Sequence, residues 1–304
     1  MREEIEFDAE GVTLRGWFYP PENGSVSAPC VVMAHGWGGT TQHFIDDFAD
    51  VFAGAGLAVL LYDHRGWGRS GVAPGKPRNE ADPWEQIRDY QHAISHAQNR
   101  PEVNGAPIGV WGSSFSAGHA FVVAAIDRRV KAVVGQMPFI SGSRQFQALV
   151  GFTMAAAQEA FAADRLARAR GEAPAVIPLV AEDPSVQAGL PVPSAYEYFY
   201  GPGGALERDP EWTNEITLRS VEHLSGYEPG WYLPRISPTP VLMVVAPHDG
   251  LTLGEWAFEA YETALQPKKL VTVPGDHFAA YRGAGAEIAS GAARDWFVEH
   301  LLPS

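Results

Sequence analysis

Val110-Trp111-Gly112-Ser113-Ser114-Phe115-Ser116-Ala117-Gly118 joins a short apolar run, Ile108 to Trp111, to a helical pattern, Phe115 to Ile126. A buried strand that turns at once into a helix on small residues is a setting in which a serine hydroxyl is lifted clear of the backbone as a nucleophile. The turn is so sharp that the residues two before and two after the nucleophile must be small. With Ser114 as nucleophile these are Gly112 and Ser116, a serine standing where glycine is usual. Ser113 suits the role poorly, because Trp111 and Phe115 would flank it. Ser116, between Ser114 and Gly118, is an alternative that ends the strand late. A plain helix N-cap at Ser114 is the reading without chemistry.

Working outward, Cys30 to Ala34, Ala58 to Tyr62, Val130 to Val134, Val241 to Val245 and Leu270 to Val273 are further short, continuous apolar runs. Such runs fit strands buried on both faces of a parallel sheet. Between them lie helical patterns at His43–Ala53, Pro83–Gln98, Leu253–Ala264 and Ile288–Leu301, with Asp82 as N-cap and Pro83 at the first helical position of the second. Glu4 to Phe7 and Val12 to Phe18 alternate apolar and polar residues around Glu10-Gly11, which reads as an antiparallel hairpin. The expected fold class is α/β: a doubly wound, mostly parallel sheet with an N-terminal antiparallel hairpin. From about Ser141 to Trp231 the alternation breaks, with an Ala-rich helical stretch at Gly151–Arg170 and recurring Pro, Gly and aromatic residues. The expected organisation is a core of residues 1–140 and 232–304 with a mostly helical cap inserted at 141–231.

Composition narrows the function. A net charge of −14 over 304 residues argues against nucleic acid, whose phosphates reward Lys and Arg, and against anionic membrane surfaces. Cys30 is the single cysteine, so neither a disulfide framework nor a cysteine metal cluster is expected. Met1 to Glu10 is acidic and alternating, unlike a signal peptide, and no stretch approaches membrane-span length; the expected location is cytoplasmic.

His277 follows the last expected strand, and Asp249 ends the penultimate one in Ala246-Pro247-His248-Asp249-Gly250. In a parallel sheet the strand C-terminal ends share one edge, where ligands bind. Ser114, Asp249 and His277 each follow a different strand at that edge, which gives a nucleophile, an acid that orients the base, and the base. Asp276 adjoins His277 awkwardly for the acid's role, and Asp63 is expected to support its own loop with Arg65. His43, His92, His96 and His300 fall on helical patterns and are expected to be solvated. His35-Gly36-Trp37-Gly38-Gly39 follows an earlier strand, with glycines that let the backbone approach a substrate. The backbone N–H groups of Trp37 and Phe115 are the expected oxyanion donors, and His35 a brace for the loop; a Gly-rich turn without chemistry is the alternative.

These pieces, with the Arg15-Gly16 hairpin and Tyr62-Asp63-His64-Arg65-Gly66, make the chain resemble the α/β-hydrolase superfamily over all but the cap. It is similar to the dienelactone-hydrolase-like and X-Pro-dipeptidyl-peptidase-like esterases, and to the polyketide-transferase-like hydrolases. The resemblance implies the fold and the triad of Ser114, His277 and Asp249, but not the substrate; the expected activity is that of a serine esterase cleaving small-molecule esters with small to medium apolar acyl groups through an acyl-enzyme, with no metal and no organic cofactor. An acyltransferase using the same triad, a peptidase, and a non-catalytic binding protein on the same fold remain open, as does a homodimer. The cap aromatics Tyr196, Tyr198, Phe199, Tyr200, Trp212, Trp231 and Tyr232 are expected to form an apolar acyl pocket, or else the cap's own core or a dimer contact.

Overall fold

The computed structural model describes residues 2–22, 24 and 27–303. The apolar runs become strands: β1 (Glu3–Ala9) and β2 (Val12–Tyr19) form the hairpin, followed by β3 (Cys30–Ala34), β4 (Ala58–Tyr62), β5 (Ile108–Ser113) and β6 (Val130–Gln136). After a two-stranded ribbon, β7 (Val176–Ile177) with β8 (Ile216–Thr217), come β9 (Val241–Val245) and β10 (Lys268–Thr272). One eight-stranded sheet runs in the order β1-β2-β4-β3-β5-β6-β9-β10. The hairpin and the β2–β4 pair are antiparallel, and every later pair is parallel. Strands β3, β4, β5 and β9 are buried along their whole length, as continuous Val, Leu and Ile runs require once helices cover both faces.

The last strand departs from expectation. It occupies Lys268–Thr272, none of them fully buried, because it is the sheet's edge and pairs among the described residues with β9 alone. Two lysines and a threonine on an edge blunt it against further pairing. Its C-terminal end still delivers the chain to His277.

Helices α1 (Ile45–Gly54), α2 (Pro83–Gln98), α3 (Phe115–Ile126) and, later, the C-terminal helix flank the sheet. Asp82 caps α2, accepting from the Trp84 and Glu85 amides at 2.9 and 3.3 Å. Between β6 and β9 the chain runs through α4 (Gly142–Val150), α5 (Met154–Ala169), α6 (Pro193–Tyr200), α7 (Ala205–Arg208), α8 (Leu218–Ser225) and α9 (Leu233–Ile236). A 3₁₀ turn at Pro229–Tyr232 crosses the expected boundary at 231/232. Phe146, Ala157, Phe161 and Leu218 form a small apolar cluster within this segment, separate from the main core. After α10 (Gly254–Thr263), α11 spans Gly283–Leu301, starting before the expected Ile288. Its first turn, Gly-Ala-Gly-Ala, carries no apolar period. A side chain at Gly285 would collide with the Ala279 carbonyl, so tertiary packing selects this start. Among the described residues no helix is long and apolar enough to cross a membrane.

Candidate active site

Ser114 sits at the β5–α3 turn with φ 56° and ψ −119°, a conformation that costs a residue bearing a β-carbon about 1–3 kcal/mol. Its neighbours fix the turn: Ser114 N–H donates to the Gln136 carbonyl at 2.8 Å, and the Ala117 and Phe139 amides donate to the Ser114 carbonyl at 3.0 Å each. A β-carbon at Gly112 would collide with the Ser116 carbonyl, which is the size limit read from the sequence. A β-carbon at Gly36 would lie 3.1 Å from both the Ser113 carbonyl and the Ser114 Cβ, so a glycine lets the β3 loop close on the turn.

The Ser116 hydroxyl is fully buried, donates to the His35 carbonyl at 2.5 Å and accepts from His64 Nε2 at 2.8 Å. With its proton committed to a carbonyl, this Ser–His pair ties two loops together. His35 Nε2 accepts from the His64 amide at 3.1 Å, so the His35 proton is on Nδ1, 2.8 Å from the Gly36 carbonyl. His35 therefore braces the loop that carries Trp37. Asp63 straps the same loop, accepting from the Thr41 amide at 2.8 Å and the Arg69 amide at 3.1 Å. Arg65, the expected partner of Asp63, pairs instead with buried Asp89 on α2, with its Nε 2.9 Å from Oδ2.

Asp249 and His277 meet at 2.7 Å between Oδ2 and Nδ1, both almost completely buried. The other carboxylate oxygen accepts from the Leu251 and Thr252 amides at 2.8 Å each, and the Thr252 hydroxyl donates to Oδ2 at 2.8 Å. Burial pushes the Asp249 carboxyl up, but the His277 ring and these Thr252 donors outweigh it and hold the group below the usual carboxylate range. Thr252 carries no motif and is invisible to sequence reasoning. Asp276 caps the 3₁₀ turn His277–Tyr281, accepting from the Phe278 amide at 3.1 Å.

Ser114 and His277 line one narrow cavity of about 40 Å³, with Trp37, Tyr198, Phe199 and Tyr281 among its walls. Among the described residues their side chains form no hydrogen bond to each other. Likewise, the backbone N–H groups of Trp37 and Phe115 meet no backbone acceptor among the described residues. Of the expected aromatics, Tyr198 and Phe199 reach this cavity. Trp212 stacks behind Phe199 at 4.4 Å, Tyr196 stacks on Tyr200 at 4.9 Å, and Trp231 is 75% exposed.

The segment between β6 and β9 is latched to the β3 loop. Tyr198 donates to the His43 carbonyl at 2.9 Å, Trp212 Nε1 to the Gly38 carbonyl at 2.8 Å, and Thr40 to Asp209 at 2.8 Å. His43 is consequently buried in a cavity wall and not solvated, while His92, His96 and His300 are partly buried. Among the described residues no three His, Cys, Asp or Glu side chains converge as metal ligands would.

Burial pushes His43 and His119 down to about 3. His119 is held neutral between Tyr227 and Gln86, each at 2.9 Å. Near the ordinary histidine value of about 6.5 the unfolded chain takes up protons that the folded one refuses. The stabilising contribution is thus complete above about pH 6.5 and is lost as pH falls from there toward 3. The two residues together should lower the unfolding free energy by about 2 kcal/mol between pH 6.5 and 5.5. Urea titrations at the two pH values measure this; equal midpoints would show that both rings are accessible to protons in the native state, and a drop of only about 1 kcal/mol that one of them is.

A family model described as serine aminopeptidase, S33, matches residues 26–275. The chain is 29% identical over 280 residues to a polyketide transferase of Stachybotrys chlorohalonatus, covering 89% of this chain and 87% of the relative. It is 28% identical over 290 residues to a thiohydrolase of Eupenicillium brefeldianum, covering 94% and 91%. The crystal structure of the α/β-hydrolase GrgF from Penicillium sp. sh18 superposes with a TM-score of 0.81 at 28% identity, over 99% of both chains. The doubly wound sheet, with its serine turn on β5 and its match over most of the sequence, belongs to the serine aminopeptidase S33 family of α/β-hydrolases.

Proposed function

We propose that this chain cleaves carboxylic esters and thioesters through an acyl-enzyme on Ser114. The observation that carries the reading is His277, paired with Asp249, lining one cavity with a serine held at φ 56°. Asp249 keeps the His277 proton on Nδ1 and leaves Nε2 as the base. His277 takes the Ser114 proton as Oγ attacks the carbonyl carbon. The oxyanion lies against the Trp37 and Phe115 N–H groups. His277 then returns the proton to the departing oxygen or sulfur, and in a second round it activates the water that releases the acid. Residues 141–231 act as a cap over this centre.

Transfer of the acyl group to an alcohol or amine is the second reading, favoured by a relative named polyketide transferase. An aminopeptidase would need a carboxylate to pair with a substrate amino terminus. Among the described wall residues of the Ser114 cavity there is no Asp or Glu, which favours esters.

The test is a series of p-nitrophenyl esters and matched thioesters run beside an aminoacyl amide, with fluorophosphonate labelling. Ester and thioester turnover, label on Ser114 and little amide cleavage are expected. An unlabelled protein that turns over none of them would remove the reading. Product analysis with an added alcohol separates transfer from hydrolysis.

A further inference from the structure

Ser114 borders a second narrow cavity, of about 30 Å³, walled by Phe115, Phe139, Leu149 and Leu251 but not by His277. The two sides of the serine are therefore chemically unequal. A departing oxygen or sulfur has to collect its proton from His277, and so must the attacking water lose one there. Both belong in the cavity that His277 lines. The other substituent of the tetrahedral carbon, the acyl chain, is left the side away from the imidazole.

That side leads toward a far larger, mostly apolar space. The second cavity shares Trp37, Leu149, Gly189 and Leu224 with a chamber of about 440 Å³. The chamber is walled by α4, α5 and the 184–191 segment, with Phe146, Val150, Ala157, Ala160, Phe161 and Val186 facing it, and among its described wall residues none is charged. Its volume lies within the range of small-molecule sites, roughly 300–1,000 Å³, whereas the His277 side is far below it. Two features keep it open. Alanines at 156, 157 and 160 present a small-residue face of α5. At Gly189 even a methyl group would stand 3.0 Å from Trp37 Cζ3 and narrow the neck.

We infer that the acyl chain runs from Ser114 through the Trp37–Gly189 neck into the α4–α5 chamber, so that the enzyme takes long, apolar acyl groups on small leaving groups. This rests on the roles given above to Ser114 and His277. It extends the sequence expectation of small to medium acyl groups.

Methyl decanoate and decyl acetate carry the same ten-carbon chain on opposite sides of the ester, and their kcat/KM values test the assignment. Methyl decanoate should be preferred at least tenfold. Along the methyl ester series, kcat/KM should rise by about fourfold per added methylene while the chamber fills. Ala160→Phe, and Ala156→Phe on the more exposed turn of the same helix, should each lower the decanoate-to-acetate preference at least tenfold. Equal rates or the reverse preference in the wild-type protein would overturn the assignment, and so would a preference that neither phenylalanine changes. Should either variant fold poorly, the wild-type pair of esters still decides. Failure of the reading beneath it looks different: no ester or thioester turned over and no label on Ser114.

Discussion

Ser114→Ala is expected to lower kcat for ester hydrolysis by on the order of 10⁶-fold, the size of loss seen when the serine of a comparable triad is removed. The loss should be almost purely chemical. Alanine keeps the β-carbon, so the turn carries the same backbone cost at φ 56°, and the three backbone hydrogen bonds that hold it involve no Ser114 side-chain atom. The melting temperature should stay within a few degrees of wild type. Turnover measured with a p-nitrophenyl ester, beside a thermal melt, gives both quantities. A variant that keeps most of its activity would remove Ser114 as nucleophile. Ser116 would be a poor replacement, since its hydrogen is already given to the His35 carbonyl.

Asp249→Asn should cost about 10⁴-fold in kcat, the loss found for the same change in another Ser-His-Asp enzyme. The local geometry says why. One side-chain oxygen has to remain facing the Leu251 and Thr252 amides, which donate to it at 2.8 Å. The new NH₂ group then faces His277 Nδ1 and offers a hydrogen where the ring also carries one. The imidazole has to switch its proton to Nε2, and the base can no longer accept from Ser114. A carboxylate held below its usual range by these donors stays ionised throughout the neutral region, so the defect should persist at every pH where the wild type works. A rate near that of the wild type would mean that some other acid orients His277.

How much could be read beforehand depended on the kind of signal. Cys30–Ala34, Ala58–Tyr62 and Val241–Val245 are strands at the expected residues because burial on both faces demands an unbroken apolar run. Lys268–Thr272 was blurred because an edge strand tolerates polar residues. The start of α11 was hidden because close packing at Gly285, and not periodicity, places it. At the site, the residues with backbone or motif requirements were legible: Gly36, Gly112, Ser114, Asp249 and His277. Side chains that act through one long-range hydrogen bond were not. The burial of His43 follows from contacts with residues more than 150 positions away, such as Tyr198. The part played by Thr252 exists only once Met137, Asp249 and His277 have been brought together.

The three links that fasten Trp212, Tyr198 and Asp209 to the loop 38–43 have a mechanical consequence. In the proposed mechanism the adjoining Trp37 amide on the same β3 loop faces the reacting carbonyl. Lifting the α6–α7 flank to admit a substrate would drag the oxyanion donor out of register, so admission there and catalysis would be mutually exclusive events in each cycle. Traffic through the α4–α5 flank, which none of these links restrains, would leave that amide in place while molecules come and go.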